Sequence, residues 1–267
     1  MINQIINAEC VEFMREKLKD ESVDLTVTSP PYDNMRSYNG YTFDFESVAK
    51  ELYRITKPGG VLVWVVGDQT IKGSETLTSF KQALFFKEIG FNVHDTMIYH
   101  KDNPAPVGGP NRYYQSFEYM FVLSKGAPLL NPIEIPRRNK WNDKRTKRFR
   151  AVNRDVEGEF TKKEVLIKEI VKKKNVWTYV VSGGSATKDK IAYKHPAIFP
   201  EQLAQDHIVS WSNPGDIVFD PMCGSGTVPK MALQSGRNFL GVEISAEYVD
   251  IARKRIESSR ESQLTLF

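Results

Sequence analysis

The strongest constraint on the fold is an alternation of short β-branched runs with stretches of helical periodicity. VDLTVTS (23–29), VLVWVV (61–66), IVFD (217–220) and FLGVEI (239–244) read as strands. Residues 2–7 fit a short edge strand, and 91–99 and 117–123 two further strands. Between them, 10–18, 45–56, 76–89, 200–212, 227–235 and 246–258 place apolar residues at helical spacing, as Val48, Leu52 and Ile55 do. Lys57-Pro58-Gly59-Gly60 reads as the turn that ends one helix, and Gly90 closes another. Strands separated by helices predict an α/β fold, a parallel-type Rossmann-like sheet with helices on both faces. The run VLVWVV is far too short to span a bilayer. The N-terminus lacks the charged and apolar regions of a signal peptide. The two cysteines, Cys10 and Cys223, suggest no disulfide framework, so both are expected reduced in a cytoplasmic protein.

The alternation breaks between about 126 and 190. That stretch is polar, basic and interrupted by Pro and Gly, and it reads as an insert between two halves of one core, 1–125 and 191–267. Residues 137–174 hold 15 Lys/Arg against 6 Asp/Glu in a chain whose net charge is only +4, so the remainder is acidic. Arg137, Arg138, Lys140, Lys144, Arg145, Lys147, Arg148 and Arg150 form the densest part, with Trp141 and Phe149 interleaved. Charge alone leaves two readings open, a solvated basic loop and a contact for a polyanion.

Two constellations carry chemistry. The first is Asp220-Pro221-Met222-Cys223-Gly224-Ser225-Gly226-Thr227, which follows a strand and opens a helix. Such a turn brings backbone N–H groups close to a ligand, and it also occurs for steric reasons alone. Glu243 stands 17 residues after Gly226, at the end of the next strand, where a carboxylate can accept both hydroxyls of a ribose. The Gly spacing is not that of a dinucleotide fingerprint, because Pro229 stands near where a third Gly belongs; this disfavours an NAD-dependent oxidoreductase. Thr227 is expected to cap the helix.

The second constellation is Ser29-Pro30-Pro31-Tyr32 at the carboxyl end of a strand, the edge where open α/β sheets bind ligands. A rigid Pro-Pro turn with a packing Tyr is one reading. The other follows from Pro chemistry: the prolines donate no hydrogen bond but keep their carbonyls as acceptors. Ser29 and the Pro30 carbonyl can then accept both hydrogens of an exocyclic amino group, while Tyr32 stacks on the base that carries it.

SPPY (29–32) followed by DPMCGSGT (220–227) resembles the S-adenosylmethionine-dependent exocyclic-amino DNA methyltransferases, in the motif order of their β group. LYRITKPGGVLVWVVGD (52–68), FEYMFVLSK (117–125) and KHPAIFPEQL (194–203) resemble further motifs of that family. The resemblance covers nearly the whole chain outside 126–190, where the group carries its target-recognition region. It implies that Ser29, Pro30, Pro31 and Tyr32 act on the base. It places S-adenosylmethionine against Asp220, Pro221, Cys223, Gly224, Gly226, Thr227, Glu243, His195, Pro196 and Phe199. Cys223 sits inside the cofactor turn, so packing or backbone contact is expected of it rather than nucleophilic attack; Cys10 is given no role and no metal site is expected.

The implied partner is double-stranded DNA, held by the basic cluster, with the target base flipped out of the stack. A homodimer and a cognate restriction endonuclease are the further partners that the group suggests. Ser at the first tetrad position points to cytosine N4, with adenine N6 as the alternative. More remote are a methyltransferase of RNA or protein amides and a non-catalytic DNA-binding protein. The loop 33–44 and the segment 101–115 read either as mobile elements on the DNA side or as fixed surface loops.

Overall fold

The computed structural model describes residues 2–31, 43–104, 106, 111–137, 148–154, 160–166, 169–181 and 184–264, with the backbone alone over 148–154, 160–166 and 263–264. The elements in order are β1 (Gln4–Asn7), α1 (Cys10–Lys17), β2 (Val23–Thr28), α2 (Phe45–Ile55), β3 (Thr56–Val66), β4 (Thr70–Ile71), β5 (Ser74–Glu75), α3 (Thr78–Glu88), β6 (Asn92–Asp102) and β7 (Phe117–Ser124). They continue with β8 (Glu134–Pro136), β9 (Arg148–Arg154), β10 (Phe160–Leu166), β11 (Ile170–Lys172), β12 (Val176–Val180), a 3-10 turn (Lys190–Lys194), α4 (Glu201–Trp211), β13 (Ile217–Asp220), α5 (Thr227–Gln234), β14 (Asn238–Glu243) and α6 (Ala246–Leu264).

Two compact units result, 132–174 and the remainder of the chain. The larger unit is built on an eight-stranded sheet in the order β1-β14-β13-β2-β3-β7-β6-β12. The expected parallel sheet is found with one reversal: β7 runs antiparallel to both β3 and β6, while every other neighbouring pair is parallel. Hydrophobic patterning reports that a strand is buried, not which way it points, so the reversal had no sequence signal. The run Val61–Val66 is almost wholly inaccessible, as a strand covered on both faces must be. Helix α2 buries Val48, Ala49, Leu52 and Ile55, and Asp44 caps it by accepting from the Ser47 N–H at 3.2 Å. Trp64, Phe86 and Phe91 meet edge-on within the same core.

Lys57-Pro58-Gly59-Gly60 is not a free turn. It lies inside β3 as an irregularity, the register passing from Val23 opposite Thr56 to Leu25 opposite Val61. The Gly59 N–H donates to the Lys125 carbonyl at 2.6 Å, so this stretch stays tied to the sheet. The smaller unit, 132–174, consists of two antiparallel ribbons, β8 with β11 and β9 with β10. It is narrower than the region 126–190 because β12 hydrogen-bonds beside β6 as part of the main sheet. Among the described residues no helix is long and apolar enough to cross a membrane.

Candidate active site

The chain leaves β13 toward β14 on one side and β2 toward β3 on the other. Adjacent strands whose connections diverge open a crevice at their carboxyl ends, where ligands bind in such sheets. A cavity of about 800 Å³ lies there. One buried hydrogen bond ties its two sides: Thr28 Oγ1, at the end of β2, donates to Asp220 Oδ1, at the end of β13, at 2.8 Å. This bond spans 192 residues and sets the two sequence constellations side by side.

The glycine turn forms one wall. The Asp220 carboxylate also accepts from the Met222 N–H at 3.2 Å. Glu243 accepts from the Gly224 N–H through Oε2 and from the Ser245 N–H through Oε1, each at 2.9 Å. Gly224 has φ +49°, and a Cβ there would stand 2.8 Å from His195 Nε2. Gly226 has φ +78°, and its Cβ would strike Ala252 of α6 at 2.7 Å. Both positions therefore require glycine, one for the approach of His195 and one for helix packing. His195 is held by the Ala197 backbone, its Nδ1 lying 2.7 Å from the Ala197 carbonyl oxygen and 3.1 Å from the Ala197 amide nitrogen. Its ring meets Tyr248 edge-on at 4.4 Å. Pro196 and Phe199 line the same cavity, as do Pro221, Cys223 and Thr227.

The electrostatics of this wall are distinctive. Burial pushes the Asp220 carboxyl up to about 7, against the hydrogen bonds from Thr28 and Met222. Burial likewise raises Glu243, opposed by backbone N–H donors. Neither forms an ion pair among the described residues; their partners are a hydroxyl and backbone amides. Two dehydrated carboxylates without a protein cation suit a ligand that brings hydroxyls and positive charge. That is the donor chemistry of S-adenosylmethionine. Burial, with Asp220 and Glu243 nearby, pushes the Cys223 thiol well up, so it is no thiolate nucleophile.

Ser29, Pro30 and Pro31 line the cavity beside this wall, with Pro30 buried. Tyr32 lies outside the described residues, as do Arg138, Lys140, Trp141, Lys144, Arg145, Lys147 and the loop 33–42. Arg137 is described in the smaller unit, exposed, its N–H donating to the Glu169 carbonyl at 2.8 Å. Arg148 and Arg150 belong to β9 of that unit, opposite Leu166 and Glu164.

Thr227 does not cap α5. Gly226 takes the cap position, and the Thr227 hydroxyl instead accepts from Arg255 at 3.1 Å. Arg255 belongs to a charged cluster that sequence reading missed. Its side chain is 0% exposed and donates to the Ser225 carbonyl at 2.7 Å, to Glu201 at 2.8 Å and to Asp189 at 3.0 Å. Lys230 donates to the same Asp189 and Glu201, at 2.7 Å each. Two cations and two carboxylates thus tie the glycine turn to the segment that carries His195. In sequence, Arg255 sits in ARKRIE and looks like any charged residue of an exposed helix face.

A model of the N6/N4 DNA methylases matches residues 23–254. The chain belongs to the N6/N4 DNA methylase family. This methylase is 55% identical over 247 residues to the orphan methyltransferase M.BamHII of Bacillus amyloliquefaciens, covering 92% of each chain. It is 26% identical to the type II methyltransferase M.HinfI of Haemophilus influenzae, over 96% of this chain and 68% of that one. Among solved structures, the M1.HpyAVI–SAM complex superposes with a TM-score of 0.60 at 25% identity, over 94% of this chain and 98% of that one. The cytosine-N4-specific PvuII DNA methyltransferase shares the fold, with a TM-score of 0.66 at 18% identity over 96% of this chain and 89% of its own.

Proposed function

We propose that this methylase transfers a methyl group from S-adenosylmethionine to N4 of a cytosine flipped out of duplex DNA. The observation that carries the reading is the Thr28–Asp220 hydrogen bond, which joins the Ser29–Pro31 segment and the glycine turn in one cavity. When bound, S-adenosylmethionine supplies an electrophilic methyl group on a sulfonium. Glu243 holds the ribose hydroxyls, and Asp220 with the turn holds the methionine end beside His195, Pro196 and Phe199. Ser29 Oγ and the Pro30 carbonyl accept the two amino hydrogens. That would favour a pyramidal nitrogen whose lone pair is no longer spread into the ring; the N–CH3 bond would form as the S–CH3 bond breaks to leave a thioether, and one amino proton would pass to solvent. Positioning and electrostatics then supply the catalysis, with no covalent enzyme intermediate. Ser rather than Asp at position 29 supports cytosine over adenine, on the family resemblance.

Tyr32 stacks on the extruded base and offsets part of the few kcal/mol that unstacking costs. The basic cluster of 137–150 neutralises phosphates of the duplex, with the smaller unit, 132–174, as the target-recognition region. The test uses Tyr32→Ala with unmethylated duplex DNA. Stacking is worth about 1–3 kcal/mol per base, so turnover is expected to fall by roughly 10–100-fold while the dissociation constant for S-adenosylmethionine holds. Unchanged methylation sinks the stacking role.

A further inference from the structure

The glycine turn and its carboxylates hold the β13–β14 side of the cavity. A base presented to Ser29 must therefore lie on the other side of β2, toward β3, β7 and β6. On that side Lys101 of β6 and Glu118 of β7 both line the cavity, and the Lys101 ammonium donates to the Glu118 carboxylate. Their side chains are 25% and 16% exposed, so the pair is largely withdrawn from water. The ammonium stands 5.5 Å from the Tyr99 ring centroid. Tyr99 in turn packs edge-on against Tyr179 at 5.8 Å, and Tyr179 donates to Asp206 at 2.8 Å. A cation is thus held beside two packed tyrosine rings inside the site.

The two candidate bases differ where such a cation would meet them. Beyond its amino group cytosine presents N3 and then O2, both acceptors. Adenine presents N1 and then a C2–H, which accepts nothing. An ammonium has three donors, and Glu118 engages one of them. We propose that Lys101, oriented by Glu118, reads the ring edge of the flipped base by donating to O2 of cytosine, which rests on the cytosine-N4 reading above. The pair then contributes specificity: a largely buried ion pair adds little net stability over an apolar replacement of both partners, although removing one partner strands the other.

The test measures the initial rate of N4-methylcytosine formation in unmethylated genomic DNA at saturating S-adenosylmethionine. A hydrogen bond to a charged group is worth about 1.5–3 kcal/mol, so Lys101→Met is expected to lose roughly 10–100-fold in rate. Its dissociation constant for S-adenosylmethionine is expected to stay at the wild-type value, which a merely structural role would move, while its Tm falls because Glu118 loses this cation; the rate is therefore read well below that Tm. Lys101→Gln keeps a neutral donor and is expected to lose less, and it answers the question if the Met variant does not fold. A Lys101→Met or Lys101→Gln enzyme working at the wild-type rate overturns the inference and leaves the proposed function standing. A wild-type enzyme that forms no N4-methylcytosine overturns the base reading itself, and Lys101's role falls with it.

Discussion

Arg255→Met is expected to destabilise the protein by about 3 kcal/mol, the lower end of the cost of stranding partners of a buried charge. The methionine fills much of the volume but donates nothing. Asp189 and Glu201 keep Lys230, and their side chains are 30% and 20% exposed, which holds the penalty at that lower end. The Ser225 carbonyl loses its donor as well, so the glycine turn and the segment carrying His195 loosen together. Burial acts to raise Asp189, but hydrogen bonds from Lys230 and Arg255 outweigh it and hold the carboxyl below its ordinary value. A depressed carboxyl stabilises the fold above its unfolded pKa and loses that contribution as pH falls through the folded one. The gap in Tm between wild type and variant is therefore expected on the order of 10 °C at neutral pH, shrinking below about pH 4. A variant melting with wild type at neutral pH would show that the cluster carries no weight.

Glu243→Ala is expected to weaken binding of S-adenosylmethionine on the order of 100-fold, since two hydroxyls lose a charged acceptor worth about 1.5–3 kcal/mol each and part of that returns through water. The Gly224 and Ser245 N–H groups lose their partner too. Turnover at saturating cofactor should change far less than the KM for it. The wild-type enzyme should also bind more weakly as pH falls, because burial raises the Glu243 carboxyl and a protonated carboxyl accepts less well. That dependence becomes shallower in the alanine variant, with Asp220 supplying what remains. Calorimetric titration measures both, and an unaltered dissociation constant removes the ribose assignment.

Much of this architecture was legible in the sequence because its causes are local. Val61–Val66 reads as a strand from its composition, and α2 from the spacing of Val48, Leu52 and Ile55. Asp220 to Thr227 announces a turn because glycines cluster between a strand and a helix. What stayed hidden depends on pairing across the chain. The Thr28–Asp220 bond joins residues that periodicity treats as unrelated. Arg255 has the helical setting of a surface residue, yet four charges from a loop and three helices converge on one another around it. The reversal of β7 and the inclusion of 57–60 within β3 show only in the pairing of strands distant in sequence. Lys101 and Glu118 gain meaning only when β6 and β7 lie side by side.

The most direct test of the whole account is a nucleoside analysis by mass spectrometry. The protein is incubated with S-adenosylmethionine and unmethylated genomic DNA, and the DNA is then digested to nucleosides. The account predicts N4-methylcytosine. N6-methyladenine in its place would contradict the reading of Ser29 and Lys101 while keeping the enzyme class, and DNA carrying no new methylated base would contradict the proposed reaction.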